Sequence, residues 1–122
     1  MELSKQVVSF ELSKRLKELG VKQESAFYWE IQNDEVRLFR DDREGAMHPT
    51  FPAFTVAELG ELLPSGTCSN VFNYRNGKPC ERYYRIFGGY DDGHPFEFES
   101  RNEADARTLA LIYLVEKGIM EP

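Results

Sequence analysis

Ser25-Ala26-Phe27-Tyr28-Trp29-Glu30-Ile31-Gln32-Asn33-Asp34-Glu35-Val36-Arg37-Leu38-Phe39-Arg40 is the stretch from which the fold class is read. Two runs rich in aromatic and branched residues flank Asn33-Asp34. The short polar side chains of that pair tolerate the left-handed backbone that a two-residue hairpin turn requires. With the turn centred there, Ile31 faces Val36, Trp29 faces Leu38 and Glu30 faces Arg37. Side chains alternate across a strand. One face therefore collects Phe27, Trp29, Ile31, Val36 and Leu38, and the other carries Tyr28, Glu30, Arg37 and Phe39. Turn chemistry and alternation agree on one register. The sheet that this hairpin seeds is antiparallel.

Upstream, residues 9–19 read as a helix. Ser9 stands at the N-cap, Leu12, Leu16 and Leu19 form one stripe, and Gly20 occupies the position where a helix ends. Downstream, residues 41–52 are polar, contain Gly45, Pro49 and Pro52, and read as a loop. A short helix over 55–63 opens on the capping box Thr55/Glu58 and stops at Pro64. A second hairpin, 70–75 with 79–87, turns at Asn76-Gly77 and puts Arg75 opposite Lys78 and Asn73 opposite Cys80. Aromatic residues lie on both its faces, so its register stays open. Residues 88–93 form a turn, and 95–99 alternate Phe96 and Phe98 inward with Glu97 and Glu99 outward. The last helix runs from the N-cap Asn102, with Asp105 three residues on, to Lys117. It is apolar almost all round over 109–115, which implies deep packing. The order αββαβββα describes an α+β domain over residues 1–122: one antiparallel sheet of about five strands covered by three helices. Leu16, Trp29, Leu38, Leu109 and Ile112 are the expected core.

Composition fits this reading. A chain of 122 residues falls within the single-domain range of about 100–200. With 41% hydrophobic and 30% charged residues it is a folding composition, not a disordered one. No apolar run approaches the ~18 residues of a membrane span. The start, Met1-Glu2-Leu3-Ser4-Lys5, lacks the basic and apolar segments of a secretory signal, so the cytoplasm is the expected compartment. Cys68 and Cys80 are expected there as free thiols, buried or half-buried. The net charge of −6 disfavours non-specific binding to DNA or anionic membranes.

Three segments carry a resemblance. They are Leu12-Ser13-Lys14-Arg15-Leu16-Lys17-Glu18-Leu19-Gly20-Val21 with Gln23-Glu24-Ser25-Ala26-Phe27-Tyr28-Trp29; Phe51-Pro52-Ala53-Phe54-Thr55 with Leu59 and Leu62-Leu63-Pro64; and Ala104-Asp105-Ala106 followed by 109–118. Together they resemble a family of small proteins encoded by bacteriophages and prophages of gut bacteria of the Bacteroides type. The last helix also resembles that of phage αβα-sandwich domains. The resemblance implies a genomic context and a bacterial host, and carries over no catalytic residue.

Chemistry-bearing residues concentrate in 73–90. Arg75, Lys78, Arg82 and Arg85 stand there against the single acid Glu81, a local charge of +3 that leaves −9 for the remainder. Tyr74, Tyr83, Tyr84 and Tyr90 are interleaved with them. Cations that hold phosphates and rings that stack bases are how single strands are gripped. The alternative is a surface hairpin whose arginines pair with Glu97 and Glu99.

Asp91-Asp92-Gly93-His94 has turn composition and lacks the calcium-loop spacing. Cys68, Cys80, His48 and His94 include no close ligand pair, so neither a metal nor a cofactor is expected. There is no nucleophile elbow and no phosphate loop, and the adjacent acids Asp41-Asp42 would point apart in a strand. Tyr28 and Phe39, with Phe72 or Tyr74, form either a second core or an exposed patch for a partner. The resulting expectation is a non-enzymatic binding or accessory protein of a phage or prophage. It would act through contacts with another phage or host protein, or with its own copy. The runner-up is a nucleic-acid-binding module using the hairpin surface Tyr74, Arg75, Lys78, Arg82, Tyr83, Tyr84, Arg85 and Tyr90.

Overall fold

Asn33 and Asp34 both take left-handed backbone angles, φ 50° and 63°, as the tight turn demands. The computed structural model describes residues 3–21, 25–40, 49–90 and 93–122. In it β1 (Phe27–Gln32) and β2 (Glu35–Arg40) pair with Ile31 opposite Val36, Trp29 opposite Leu38 and Glu30 opposite Arg37, the predicted register.

The other edge of β1 differs from expectation. Residues expected to be loop form β3 (Thr50–Pro52), antiparallel to β1 with Trp29 opposite Phe51. Ala53 N–H donates to the Phe27 carbonyl, so Pro52, opposite Tyr28, falls at a pair that exchanges no ladder bonds. Its missing N–H therefore costs this ladder nothing. Three residues are too few to show a period, and the prolines masked the strand.

Among the described residues there are accordingly six strands in two three-stranded antiparallel sheets, not one sheet of about five. The order within them is β2-β1-β3 and β4-β5-β6, where β4 is Cys68–Arg75, β5 is Lys78–Gly88 and β6 is Phe96–Ser100. With the helices α1 (Phe10–Glu18), α2 (Val56–Leu62) and α3 (Glu103–Glu116), the element order becomes αβββαβββα, preceded by a 3-10 turn at Leu3–Lys5. Between β5 and β6, Gly89 at φ 75° closes the turn: a Cβ there would collide with the His94 carbonyl oxygen. None of the helices among the described residues is long and apolar enough to cross a membrane.

Helix α3 is central. It lies against β5 and β6 and also meets α2 and α1. Its buried residues are Ala104, Ala106, Thr108, Ala110, Leu111 and Leu114, so small side chains occupy much of the contact and let neighbours approach on several sides. The core adds Leu16, Phe54, Leu59 and Ile86. Of the expected core only Leu16 is fully buried. Ile112 is half-buried against the cluster, and Trp29, Leu38 and Leu109 are half-buried outside it. On the first sheet Glu30, from the face shared with Tyr28 and Phe39, is fully buried, whereas Val36, from the face of Trp29 and Ile31, is 42% exposed.

The helix starts act as joints. Thr55 and Glu58 form the predicted capping box, and the Glu58 carboxylate also accepts from the Ser25 hydroxyl (2.9 Å) and the Ala26 N–H (3.1 Å). Asn102 caps α3 by accepting from Asp105 N–H, while its amide donates to the Val7 carbonyl at 3.0 Å. Ser9 occupies the α1 cap position, but its side chain makes no capping bond; its N–H instead donates to Asp105 at 2.6 Å. Burial raises the Asp105 carboxyl above the ordinary aspartate range, partly offset by this bond.

Candidate binding surface

Asn76 and Gly77 turn the second hairpin with φ 53° and 76°, and Arg75 faces Lys78 as predicted. Beyond Tyr74 the ladder shifts. Phe72 faces Tyr83, and the expected pairing of Asn73 with Cys80 is lost at this irregularity. Two contacts account for the shift. Phe72 stacks on Tyr83 with ring centroids 5.1 Å apart and planes 16° from parallel. Asn73 accepts a hydrogen bond from Arg82 Nε at 3.3 Å. Cys68 comes to lie opposite Phe87, and both cysteines are free and exposed rather than buried or half-buried.

The face of this sheet turned away from α3 carries an aromatic–guanidinium stack. The Arg75 guanidinium lies 4.3 Å from the Tyr83 centroid, and that of Arg85 lies 5.0 Å from Phe72. Glu99 accepts from Arg75 at 3.0 Å and from Arg85 at 2.8 Å, and Glu97 sits 2.7 Å from Arg85 Nε. Hydrogen bonds from Arg85 and Arg75 hold the Glu99 carboxyl below the usual range. Tyr83 is only 8% exposed beneath this stack.

Strand alternation divides the eight residues singled out from the sequence. Arg75, Tyr83 and Arg85 belong to the outer stack, and Arg82 and Tyr84 to the opposite side of β5. Tyr74 and Lys78 mark the exposed hairpin tip. Tyr90 lies past the other end of β5, beside Cys68 and Phe87. Tyr28 and Phe39 pair in the first sheet and are half-buried. Phe72 and Tyr74 belong to the second sheet and do not extend that pair within one sheet.

Arg82 and Tyr84 open into a cleft of about 1010 Å³. The 3-10 turn at Leu3–Lys5, Phe27 at the start of β1, Val56 and Ala57 in the first turn of α2, and Arg101 to Glu103 complete its walls. Phe27, Val56, Ala57 and Tyr84 supply apolar surface, and Lys5, Arg82 and Arg101 supply positive charge. Among the described residues Lys5 and Arg82 have no carboxylate within ion-pair distance. Arg101 reaches Glu81 at 2.8 Å, with both side chains more than two-thirds exposed, a pairing worth little in water. The one acid among the described lining residues, Glu103, accepts from Arg107 at 3.0 Å and from the Ser69 hydroxyl at 3.2 Å. Lys5, Phe27, Val56, Ala57 and Arg101 were missed in the sequence because they come from four separate segments with no local signature.

Among the described residues no three of His, Cys, Asp and Glu gather as metal ligands. Asp41, Asp42, His48, Asp91 and Asp92 lie outside the described residues. Comparison of the chain with protein-family profiles, with curated proteins and with solved structures finds no match.

Proposed function

We propose that this chain is a non-enzymatic binding module that acts through protein contacts, in the bacterial cytoplasm and in the phage or prophage setting that the sequence resemblance implies. The cleft is the observation that carries this reading. An apolar lining with cations not already neutralised is the make-up of a contact site, with an apolar anchor surface inside and charge at the margin. The outer stack supports it from the other side. Arg75 and Arg85 are matched by Glu97 and Glu99, and Tyr83 is covered, so three of the eight hairpin residues that would grip a single strand are taken up in this stack.

Binding to single-stranded oligonucleotides tests the reading. None should bind measurably at low ionic strength, where attraction is greatest. Saturable binding at physiological salt would replace this function with the nucleic-acid one. Such binding should weaken by about 0.7 log units per log unit of salt for each phosphate neutralised. It should also be lost on Arg82→Glu with Lys78→Glu. That pair is cleaner than one including Arg85, whose loss would dismantle the outer stack.

A further inference from the structure

We infer that the cleft receives an acidic peptide segment of a partner protein, seating one apolar side chain between Phe27, Val56 and Tyr84 and placing carboxylates at Lys5 and Arg82. The inference rests on the protein-contact reading and specifies its ligand. Charge complementarity is the first argument. On a chain of net charge −6, the described lining of this cleft gathers Lys5, Arg82 and Arg101 against one acid, Glu103, whose charge Arg107 already meets, and the Glu81 partner of Arg101 is itself solvent-exposed. A guanidinium offers a carboxylate paired donors in a fixed fork, and an ammonium offers a point charge.

Shape is the second argument. At about 1010 Å³ and open on one side, the cleft stands at the upper end of the roughly 300–1,000 Å³ typical of small-molecule pockets. Its apolar surface also continues outward. Val71, the cross-strand neighbour of Tyr84, is 53% exposed on the edge strand β4, and Leu3 in the cleft wall is 40% exposed. A polyanion is the poorer fit, because three cations offer few phosphate contacts. Phe27 and Tyr84 are the two rings in the described lining, and Leu3, Val56 and Ala57 give the rest of its apolar surface an aliphatic character on which bases do not stack.

Selection from a random peptide library on the intact chain, followed by anisotropy of the fluorescein-labelled winners, tests this directly. The winners should carry Asp or Glu on either side of an aromatic or leucine residue. Lys5→Glu with Arg82→Glu should weaken them by at least about tenfold, the scale for charge pairs at an interface, and Lys78→Glu at the hairpin tip should not. Ala57→Trp, which fills the cleft and leaves every cation in place, should also abolish binding, and circular dichroism verifies the fold of each variant. Acidic peptides that bind the charge-reversed and Ala57→Trp chains equally well would overturn the cleft assignment and leave the protein-contact function standing. Winners without acids would overturn the ligand class. Selection of no peptide, with binding of a labelled oligothymidine instead, would overturn both.

Discussion

The two hairpins end in turns of the same left-handed kind, yet one keeps a single register throughout and the other does not. In the first, strands of six residues lie within reach of Asn33-Asp34, and the turn governs every pair. In the second, Asn76-Gly77 holds only Arg75 opposite Lys78 and Tyr74 opposite Pro79 before the ladder shifts between Phe72 and Tyr74. Aromatic residues on both faces then leave room for a shift that lets Phe72 stack on Tyr83. A turn dictates register locally. Farther along a ladder, side-chain contacts decide it. The sheets differ in support as well, since α3 backs β5 and β6 while much of the first hairpin remains half-exposed.

That difference in support should show most strongly in stability. Ile86→Ala, at a fully buried position near the end of β5, should cost about 2–5 kcal/mol in urea denaturation. Val36→Ala, in the exposed part of β2, should stay within about 0.5 kcal/mol. Similar costs at both positions would mean that the first sheet is as firmly backed as the second.

A smaller effect separates two carboxylates by the sign of their pH dependence. Glu99 on the second sheet titrates below its unfolded value, so its stabilisation is present above the ordinary glutamate range and is lost as pH falls through the lowered value. The gap between the original protein and Glu99→Gln should therefore close on acidification. Asp105, which joins α3 to α1, titrates above its unfolded value, so stability should decline as pH rises from the ordinary aspartate range through the raised value. Asp105→Asn retains an acceptor for Ser9 N–H and should remove that decline. Denaturation midpoints measured across acid pH for the three proteins check both signs.

The smallest effect concerns the thiols on β4 and β5. Both are exposed, so a thiol reagent should titrate two equivalents in the native protein without denaturant. Release of only one before unfolding would place one strand of the second hairpin under cover.

Much of the local structure was legible. Asn33-Asp34, the Thr55/Glu58 box and the Asn102 cap are short-range devices whose chemistry is complete within a few residues, and each appears where the sequence put it. Strand Thr50–Pro52 was not legible, because its partner Phe27–Gln32 lies about twenty residues away and its own three residues show no period. Little of the candidate site could be read. Interleaved tyrosines and arginines suggested one surface, but residues adjacent in a strand face opposite ways, so Tyr83 and Arg85 parted from Arg82 and Tyr84.

By itself, then, the sequence determined most of the elements: three helices, the two hairpins with their turns, and an antiparallel α+β class. Those follow from backbone angles, caps and alternation, which act between near neighbours. Tertiary structure alone decided that the strands divide into two sheets and that alanines of α3, rather than Leu109, lie deepest. It also decided that an N-terminal lysine, a β1 phenylalanine and a β5 arginine share one cleft. Such outcomes depend on which surfaces exclude water from one another and which charges find partners across the chain. Both are properties of distance in space, which spacing along the sequence does not encode.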